Sequence, residues 1–245
     1  MKYPIQDGLL VAIEGIDGGG KTSIAGAISQ WCGERGLACH MTKEPTGISF
    51  GNTLRESAHS GRRTLDDELD LFILDRREHV KRSIAPALKQ SAIVILDRYY
   101  WSTAAYQGAR GADIEQILAR NYEFAPKPDL TILLDVPVSV GRQRIKSRGD
   151  IPNEFEDIRG LEKAREIFLE LAKADPMSSR VIDANRSLRE VVSLALSEFK
   201  IAAVEKIVSN GKHRHGGIVT PEEMNEVMLF FGVPPVEGEA DLVTA

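Results

Sequence analysis

One stretch, Leu9 to Ser23 (LLVAIEGIDGGGKTS), limits what this chain can fold into more than any other. Leu9–Ile13 is an apolar run too short for a helix and reads as a buried strand. Gly15-Ile16-Asp17-Gly18-Gly19-Gly20-Lys21-Thr22 then fits G-x-x-x-x-G-K-[ST], a phosphate-binding loop. The glycines let successive backbone N–H groups turn inward around an anion, where a Cβ would obstruct them. Lys21 is placed to reach the terminal phosphates, and the Thr22 hydroxyl suits Mg²⁺. The helix that follows directs its positive end at the same anion. A dinucleotide fingerprint starting at Gly18 would need a glycine at position 23, where Ser23 stands. The alternative, a glycine-rich turn that happens to precede Lys-Thr, does not account for a full eight-residue match after a strand. Residues Gly15–Ser23 therefore read as a nucleoside triphosphate site, with ATP as the expected ligand.

The remaining pattern alternates strand and helix. Helices are expected at Thr22–Glu34, about Gly51–His59, Asp66–Gln90, Trp101–Gln107, Ile114–Phe124, Pro137–Ser147, Leu161–Ala174 and Leu188–Val208. Thr64 is the expected N-cap of the long helix, and Pro86 is expected to kink it or end its regular part. Strands are expected at Leu37–Thr42, Ala92–Leu96, Leu130–Leu134 and Val181–Ile182. With Leu9–Ile13 these make a parallel sheet covered by helices on both faces. Such sheets bind ligands at the carboxyl ends of their strands, where Lys43-Glu44-Pro45 and Asp97-Arg98-Tyr99 fall.

The main body is expected over 1–209, with a polar segment at Arg148–Glu156. From Asn210 the sequence reads as a breaker-rich linker, and then Thr220-Pro221-Glu222-Glu223 opens a short helix carrying Met224, Val227, Met228 and Phe231 on one face. Pro234-Pro235 is the expected stop. His213 and His215 read as solvated linker residues rather than metal ligands. The net charge of −5 is concentrated here, because residues 216–245 hold six acids and neither Lys nor Arg. The rest is near neutral, which argues against a nucleic-acid surface. Two cysteines make no disulfide framework, no apolar run approaches membrane length, and the N-terminus lacks a signal-peptide pattern, so a cytoplasmic protein is expected.

A phosphate loop alone serves motors, switches and kinases. A motor usually needs a catalytic acid beside its Mg²⁺-positioning Asp, but Arg98 follows Asp97 here. Asp97 suits the metal shell, and Arg98 offers a fork to a second phosphate. A structural Asp–Arg pair is the bland alternative. Two anion sites point to phosphoryl transfer between nucleotides. Phe72 and Arg76 share a helix face, and could stack on and hydrogen-bond a base, or be a core residue and a surface ion pair. The loop has no basic residue between Gly15 and Gly20, so charge on the transferred group must be met from elsewhere. Arg142, Arg144 and Arg148 are candidates on a closing lid about 142–156, or a solvated helix end.

Taken together, these residues resemble the thymidylate kinase family. The stretches that carry the resemblance are Ile13-Glu14-Gly15-Ile16-Asp17-Gly18 with Lys21-Thr22, Thr42-Lys43-Glu44-Pro45, Leu71-Phe72 with Asp75-Arg76, and Asp97-Arg98-Tyr99 with Ser102-Thr103 and Ala105-Tyr106-Gln107-Gly108. Lys127-Pro128-Asp129-Leu130, Leu134-Asp135-Val136 and Ile182-Asp183-Ala184 follow in order, and the resemblance spans roughly 8–200. Glu-Pro-Thr and Asp-Arg-Tyr-Tyr are closest in wording to archaeal-type members. The resemblance implies a three-layer α/β/α P-loop kinase fold with a five-stranded parallel sheet, a lid and, in this chain, a helical C-terminal extension at 210–245. It implies ATP- and Mg²⁺-dependent phosphorylation of dTMP to dTDP, usually by a homodimer.

By the same resemblance, Asp17 faces the acceptor sugar, Phe72 stacks on thymine and Arg76 contacts the base. Arg98, with Arg55, holds the acceptor phosphate, while Tyr99, Thr103 and Gln107 line the pocket beside Glu44 and Pro45. The catalytic set is then Lys21, Asp17, Arg98 and the lid arginines Arg142, Arg144 and Arg148, with Thr22 and Asp97 at the metal. Lys43 departs from the family, which usually has Arg before Glu-Pro. The competing readings are a kinase for another acceptor (dUMP, UMP or a nucleoside) and a non-catalytic nucleotide-binding subunit whose acidic tail docks on a partner. For the tail itself, packing on its own body or a dimer mate is the plainer expectation.

Overall fold

The computed structural model describes residues 5–60, 63–147, 158–215 and 220–234. Five strands form one sheet: β1 (Leu9–Glu14), β2 (Cys39–Lys43), β3 (Ile93–Asp97), β4 (Leu130–Asp135) and β5 (Ser179–Asp183). Their order is β2-β3-β1-β4-β5 and every pairing is parallel. The two most apolar strands, β1 and β3, are buried along their whole length. This follows because helices cover both faces and no strand position there meets water. Ile13 and Lys43 both pair with Asp97, so the ends of β1, β2 and β3 lie at one level.

Against one face pack α1 (Lys21–Glu34) and the long α9 (Leu188–His215), and against the other α4 (Ala85–Lys89) and α8 (Ile158–Ala174). Beyond these come α2 (Ser49–Ser60), α3 (Leu65–His79), α5 (Tyr100–Gly108), α6 (Ile114–Tyr122), α7 (Val138–Ser147) and α10 (Pro221–Phe231). Thr64 caps α3, its hydroxyl accepting from the Asp67 N–H at 3.2 Å. The expected irregularity near Pro86 is a π-helical turn, Val80–Ile84, between α3 and α4. Proline has no N–H to continue the ladder, and the preceding turn widens instead of breaking.

Two boundaries differ from expectation. Helix α9 continues past Val208 to His215, across residues read as a linker, with Asn210 Nδ2 donating to the Gln6 carbonyl at 2.7 Å. Helix α10 ends at Gly232, in left-handed geometry (φ 65°), before Pro234 is reached. The Val233 and Gly232 N–H groups return to the Met228 and Leu229 carbonyls at 2.8 and 3.0 Å, a glycine-dependent close. Its start matches expectation, with a complete capping box between Thr220 and Glu223. The apolar face of α10 packs on its own body. Phe231, 0% exposed, stacks on Trp31 of α1 at 5.8 Å, and Phe199 of α9 meets the same indole edge-on at 5.7 Å.

One buried carboxylate joins the sheet to α5. Glu14, the last residue of β1, is 0% exposed. It accepts from the N–H groups of Tyr99 and Ser102 at 2.9 and 3.1 Å and from the Ser102 hydroxyl at 2.6 Å. Tyr99, the N-cap residue of α5, offers no side-chain cap, so a carboxylate from a neighbouring strand closes the helix start. Burial pushes the Glu14 carboxyl up to about 7 against these hydrogen bonds and the charge of Arg98.

Phe231→Ala should lower unfolding free energy by about 3 kcal/mol or more, as for large aromatic truncations in a core; a loss under about 1 kcal/mol in denaturant titration contradicts the packing. Between the ordinary carboxylate range and pH 7 the folded chain binds the Glu14 proton and the unfolded chain does not, so this group costs stability as pH rises. Glu14→Gln should remove that slope. Denaturation midpoints at pH 5, 6 and 7 that fall equally in both proteins contradict it.

Candidate active site

Between β1 and α1 the phosphate loop turns under the ends of β4 and α7. Gly15 (φ 132°) and Gly18 (φ 79°) have backbone angles that favour glycine, and each lies against another backbone. A Cβ would come within 2.5 Å of the Leu134 carbonyl oxygen at Gly15, and 2.2 Å of the Gly141 carbonyl oxygen at Gly18. The loop is thus held by close backbone approach as well as by turn geometry. Lys21 folds over it, donating to the Gly15 and Ile16 carbonyls at 2.9 and 2.8 Å. Burial and the nearby Arg98 lower the Lys21 ammonium to about 8.

Thr22 Oγ1 donates to Asp97 Oδ2 at 2.5 Å. A hydroxyl and a carboxylate are hard oxygen donors of the kind Mg²⁺ takes alongside phosphate oxygens. Among the described residues no group of three or more His, Cys, Asp or Glu could hold a metal, so an ion here would complete its shell with phosphate and water. The pair fits that ion.

A cleft of about 640 Å³ lies on one side of the loop, lined by Gly19, Gly20, Ser23, Arg144 and Arg186 among others. Arg144 Nη2 donates to the Ala184 carbonyl at 2.9 Å and Nη1 to the Gly18 carbonyl at 3.3 Å, which brings a cation against the loop from α7. Arg142, two residues earlier, is exposed and lines neither this cleft nor the second cavity. Arg148 and the rest of the expected lid from 148 on lie outside the described residues. Arg186 escaped the sequence reading. Its place just after β5 at the sheet's carboxyl edge was the available signal.

On the other side is a second cavity of about 240 Å³. All ten residues expected at an acceptor site line it. Asp17 comes from the phosphate loop, Glu44 and Pro45 from the end of β2, Arg55 from α2, Phe72 and Arg76 from α3, and Arg98, Tyr99, Thr103 and Gln107 from the β3–α5 segment. Arg98 has positive φ (74°), which turns its side chain back across the loop. It donates to Asp17 Oδ1 and, at 3.2 Å, to the Ser102 hydroxyl. Tyr106 donates to the other Asp17 oxygen at 2.8 Å. Burial would raise the Asp17 carboxyl, but Arg98 and Lys21 outweigh it and hold it at about 2.

Arg76 departs from the surface ion pair that the sequence allowed, being 1% exposed. Its guanidinium donates to Glu44 through Nε at 2.8 Å, to Asn121 Oδ1 at 2.7 Å and to the Thr103 hydroxyl at 3.0 Å. Glu44 also meets His79 Nδ1 at 3.0 Å. Burial raises the Glu44 carboxyl, and the charges of Arg76 and His79 overcome this and leave it lowered. Deep burial of a cation is sustained here by a full set of acceptors. Asp75 accepts from the Thr46 N–H at 2.8 Å, and Arg55 donates to the Pro45 carbonyl, so the loop after β2 is tied to α2 and α3.

Sequence alone assigns no role to Glu14, Ser102 or Tyr106, nor to Asn121 and His79. Positions 102, 103, 106 and 107 recur at helical spacing, and that polar stripe on α5 is a readable signal for Tyr106. Two side-chain atoms are buried without a protein partner among the described residues, Tyr99 Oη and Gln107 Nε2. Both residues line the second cavity. Buried polar atoms are rarely left unpaired unless something else pairs with them.

Comparison with known proteins agrees with this arrangement. Residues 13–195 match the family described as thymidylate kinase. A thymidylate kinase of Xanthomonas campestris pv. campestris (strain B100) is 45% identical over 206 residues, covering 84% of this chain and 89% of that protein. A thymidylate kinase of Xylella fastidiosa (strain M12) is 47% identical over 189 residues, covering 77% and 85%. One of Xanthomonas euvesicatoria pv. vesicatoria (strain 85-10) is 44% identical over 210 residues, covering 86% and 91%. With a phosphate loop between two cavities and a family match over most of its length, this chain belongs to the thymidylate kinase family.

Proposed function

We propose that this protein transfers the γ-phosphoryl group of ATP to dTMP, giving dTDP and ADP. One observation carries this reading: Asp17 belongs to the phosphate loop and also forms the wall of the second cavity, where it pairs with Arg98. A nucleotide in that cavity therefore lies next to a triphosphate on the loop. The printed names of the relatives favour dTMP as that nucleotide. Phe72 offers a stacking face, and the unpartnered Gln107 Nε2 and Tyr99 hydroxyl offer hydrogen bonds to base and sugar.

In this reading Arg98 holds the acceptor phosphate. An oxygen of that phosphate attacks the γ-phosphorus as the bond from it to the β-bridging oxygen breaks, and ADP leaves with the released electron pair. Lys21 and the backbone N–H groups of Gly15–Thr22 hold the donor phosphates, and Ser23 lines their cleft. Thr22 and Asp97 would hold Mg²⁺, which supplies charge neutralisation on the phosphate oxygens. Arg144 is the described arginine best placed to answer charge on the transferred group, since it already reaches the Gly18 carbonyl. Arg142 and Arg148 enter as contributors from the proposed lid at 142–156. Tyr106 and Arg98 orient Asp17 toward the sugar. The reading takes 1–209 as the kinase body and 210–245 as an extension. It places the protein in the cytoplasm as a homodimer, which sedimentation checks. Among the described residues no helix is long and apolar enough to cross a membrane.

A coupled ADP-release assay with Mg²⁺ and a monophosphate panel should give dTMP the highest kcat/KM, ahead of dUMP, UMP and dCMP; a panel inert throughout refutes the kinase reading. Arg98→Ala should reduce kcat/KM for dTMP by about 10²- to 10³-fold, the loss typical of a charged donor on a reacting group. Its ATP dissociation constant should move less than about threefold. Equal losses for both ligands contradict the assignment.

A further inference from the structure

The buried amide of Gln107 has two ends in different situations. Its oxygen accepts from Arg110 Nη1 at 2.9 Å, while its nitrogen has no protein partner among the described residues. Gln107 is 0% exposed and lines the acceptor cavity, so the nitrogen is the end left for whatever fills that space. Amide ends are interchangeable in shape, and only hydrogen bonding decides which way they point. Arginine carries donors and no acceptor. An N–H end turned toward Arg110 would meet another N–H, so the oxygen must face it.

Arg110 is itself held. The same Nη1 donates to Glu68 of α3, whose carboxylate is 0% exposed, and Nη2 reaches the Arg63 carbonyl at 3.5 Å. A fixed negative charge therefore holds a fixed donor, which in turn fixes the orientation of a neutral amide. The Glu68–Arg110 pair lies behind Gln107 and not on the cavity wall. Nothing about it enters the phosphoryl-transfer step.

We propose that the Glu68–Arg110 pair sets base selectivity at a distance, by locking the Gln107 amide with its N–H toward the acceptor cavity. That edge then accepts a base presenting a carbonyl oxygen and rejects one presenting an exocyclic amine, because a donor facing a donor leaves both unpaired. At C4 thymine and uracil present the carbonyl and cytosine the amine. This rests on the reading that the second cavity takes a pyrimidine nucleotide. Arg110 is a positioning residue, acting through Gln107 without touching the substrate.

The test is equilibrium binding of dTMP and dCMP to the full chain by calorimetry, with ATP binding measured alongside. Removing Arg110 alone would take a charge partner from the buried Glu68 carboxylate, so the informative variant is the double substitution Glu68→Gln with Arg110→Met. It should lower the preference for dTMP over dCMP by about tenfold, the worth of one hydrogen bond made or lost. ATP affinity should change less than about threefold, a separation that general loosening of the fold would not produce. Arg110→Lys, also donor-only, should keep most of the preference.

Gln107→Glu should shift the preference toward dCMP, since one oxygen can still face Arg110 while the other presents an acceptor to the cavity. This variant keeps the proposal testable if the double variant does not fold. An unchanged preference in the double variant, an equal loss in Arg110→Lys, or no shift in Gln107→Glu overturns the proposal while leaving the kinase reading intact. A wild-type chain that binds dTMP no better than dCMP overturns the nucleotide reading of the cavity and this inference with it.

Discussion

The structure depends most on a carboxylate that is expensive to bury. Glu14 ends the central strand and closes the start of α5 by accepting from two backbone N–H groups and a hydroxyl. Without it the first turn of α5 would have buried donors facing a strand end with nothing to receive them. Its cost is visible in the raised carboxyl, and its return is geometric. It fixes the distance between the phosphate loop, which begins one residue later, and the segment carrying Arg98, Tyr99, Thr103 and Gln107.

From that tie the two cavities take their positions. The loop leaves β1 on one side, Arg98 leaves β3 on the other, and register pairs Ile13 with Asp97 at the junction. The Asp17–Arg98 contact then bridges them, with Tyr106 on the second carboxylate oxygen. The second cavity is backed by a closed polar network. Arg76, Glu44, His79, Asn121 and Thr103 satisfy one another in a space nearly closed to water. A network of this kind resists rearrangement because any single break strands a charge. The cleft on the Arg144 side is the larger of the two, about 640 Å³ against about 240 Å³.

Much of this was legible in the sequence, for identifiable reasons. The phosphate loop is a contiguous run whose residue types follow directly from anion geometry. The parallel sheet announced itself through strands apolar on both faces, and Thr64 and Thr220 marked helix starts through short-range hydrogen bonds. Burial was less readable. Arg76 looks like a surface residue because the acceptors that pay for its charge, Glu44, Thr103 and Asn121, come from three distant segments. Glu14 looked like part of a motif for the same reason, its partners lying 85 and 88 positions away. The close of α10 is harder to read because prolines are louder than glycines: Gly232 stops the helix through two returning N–H bonds before Pro234 can.

The packing of Phe231 on Trp31 has a consequence for the order in which this protein comes into being. Trp31 sits on the helix that carries the phosphate loop, and its stacking partner lies 200 positions later in the chain. During synthesis every strand of the sheet has emerged before that ring exists. The seam between α1 and α9 is therefore the last part of the body to be covered. A chain released early would expose an indole and the Phe199 ring edge, an apolar mark of incompleteness that a finished copy does not show.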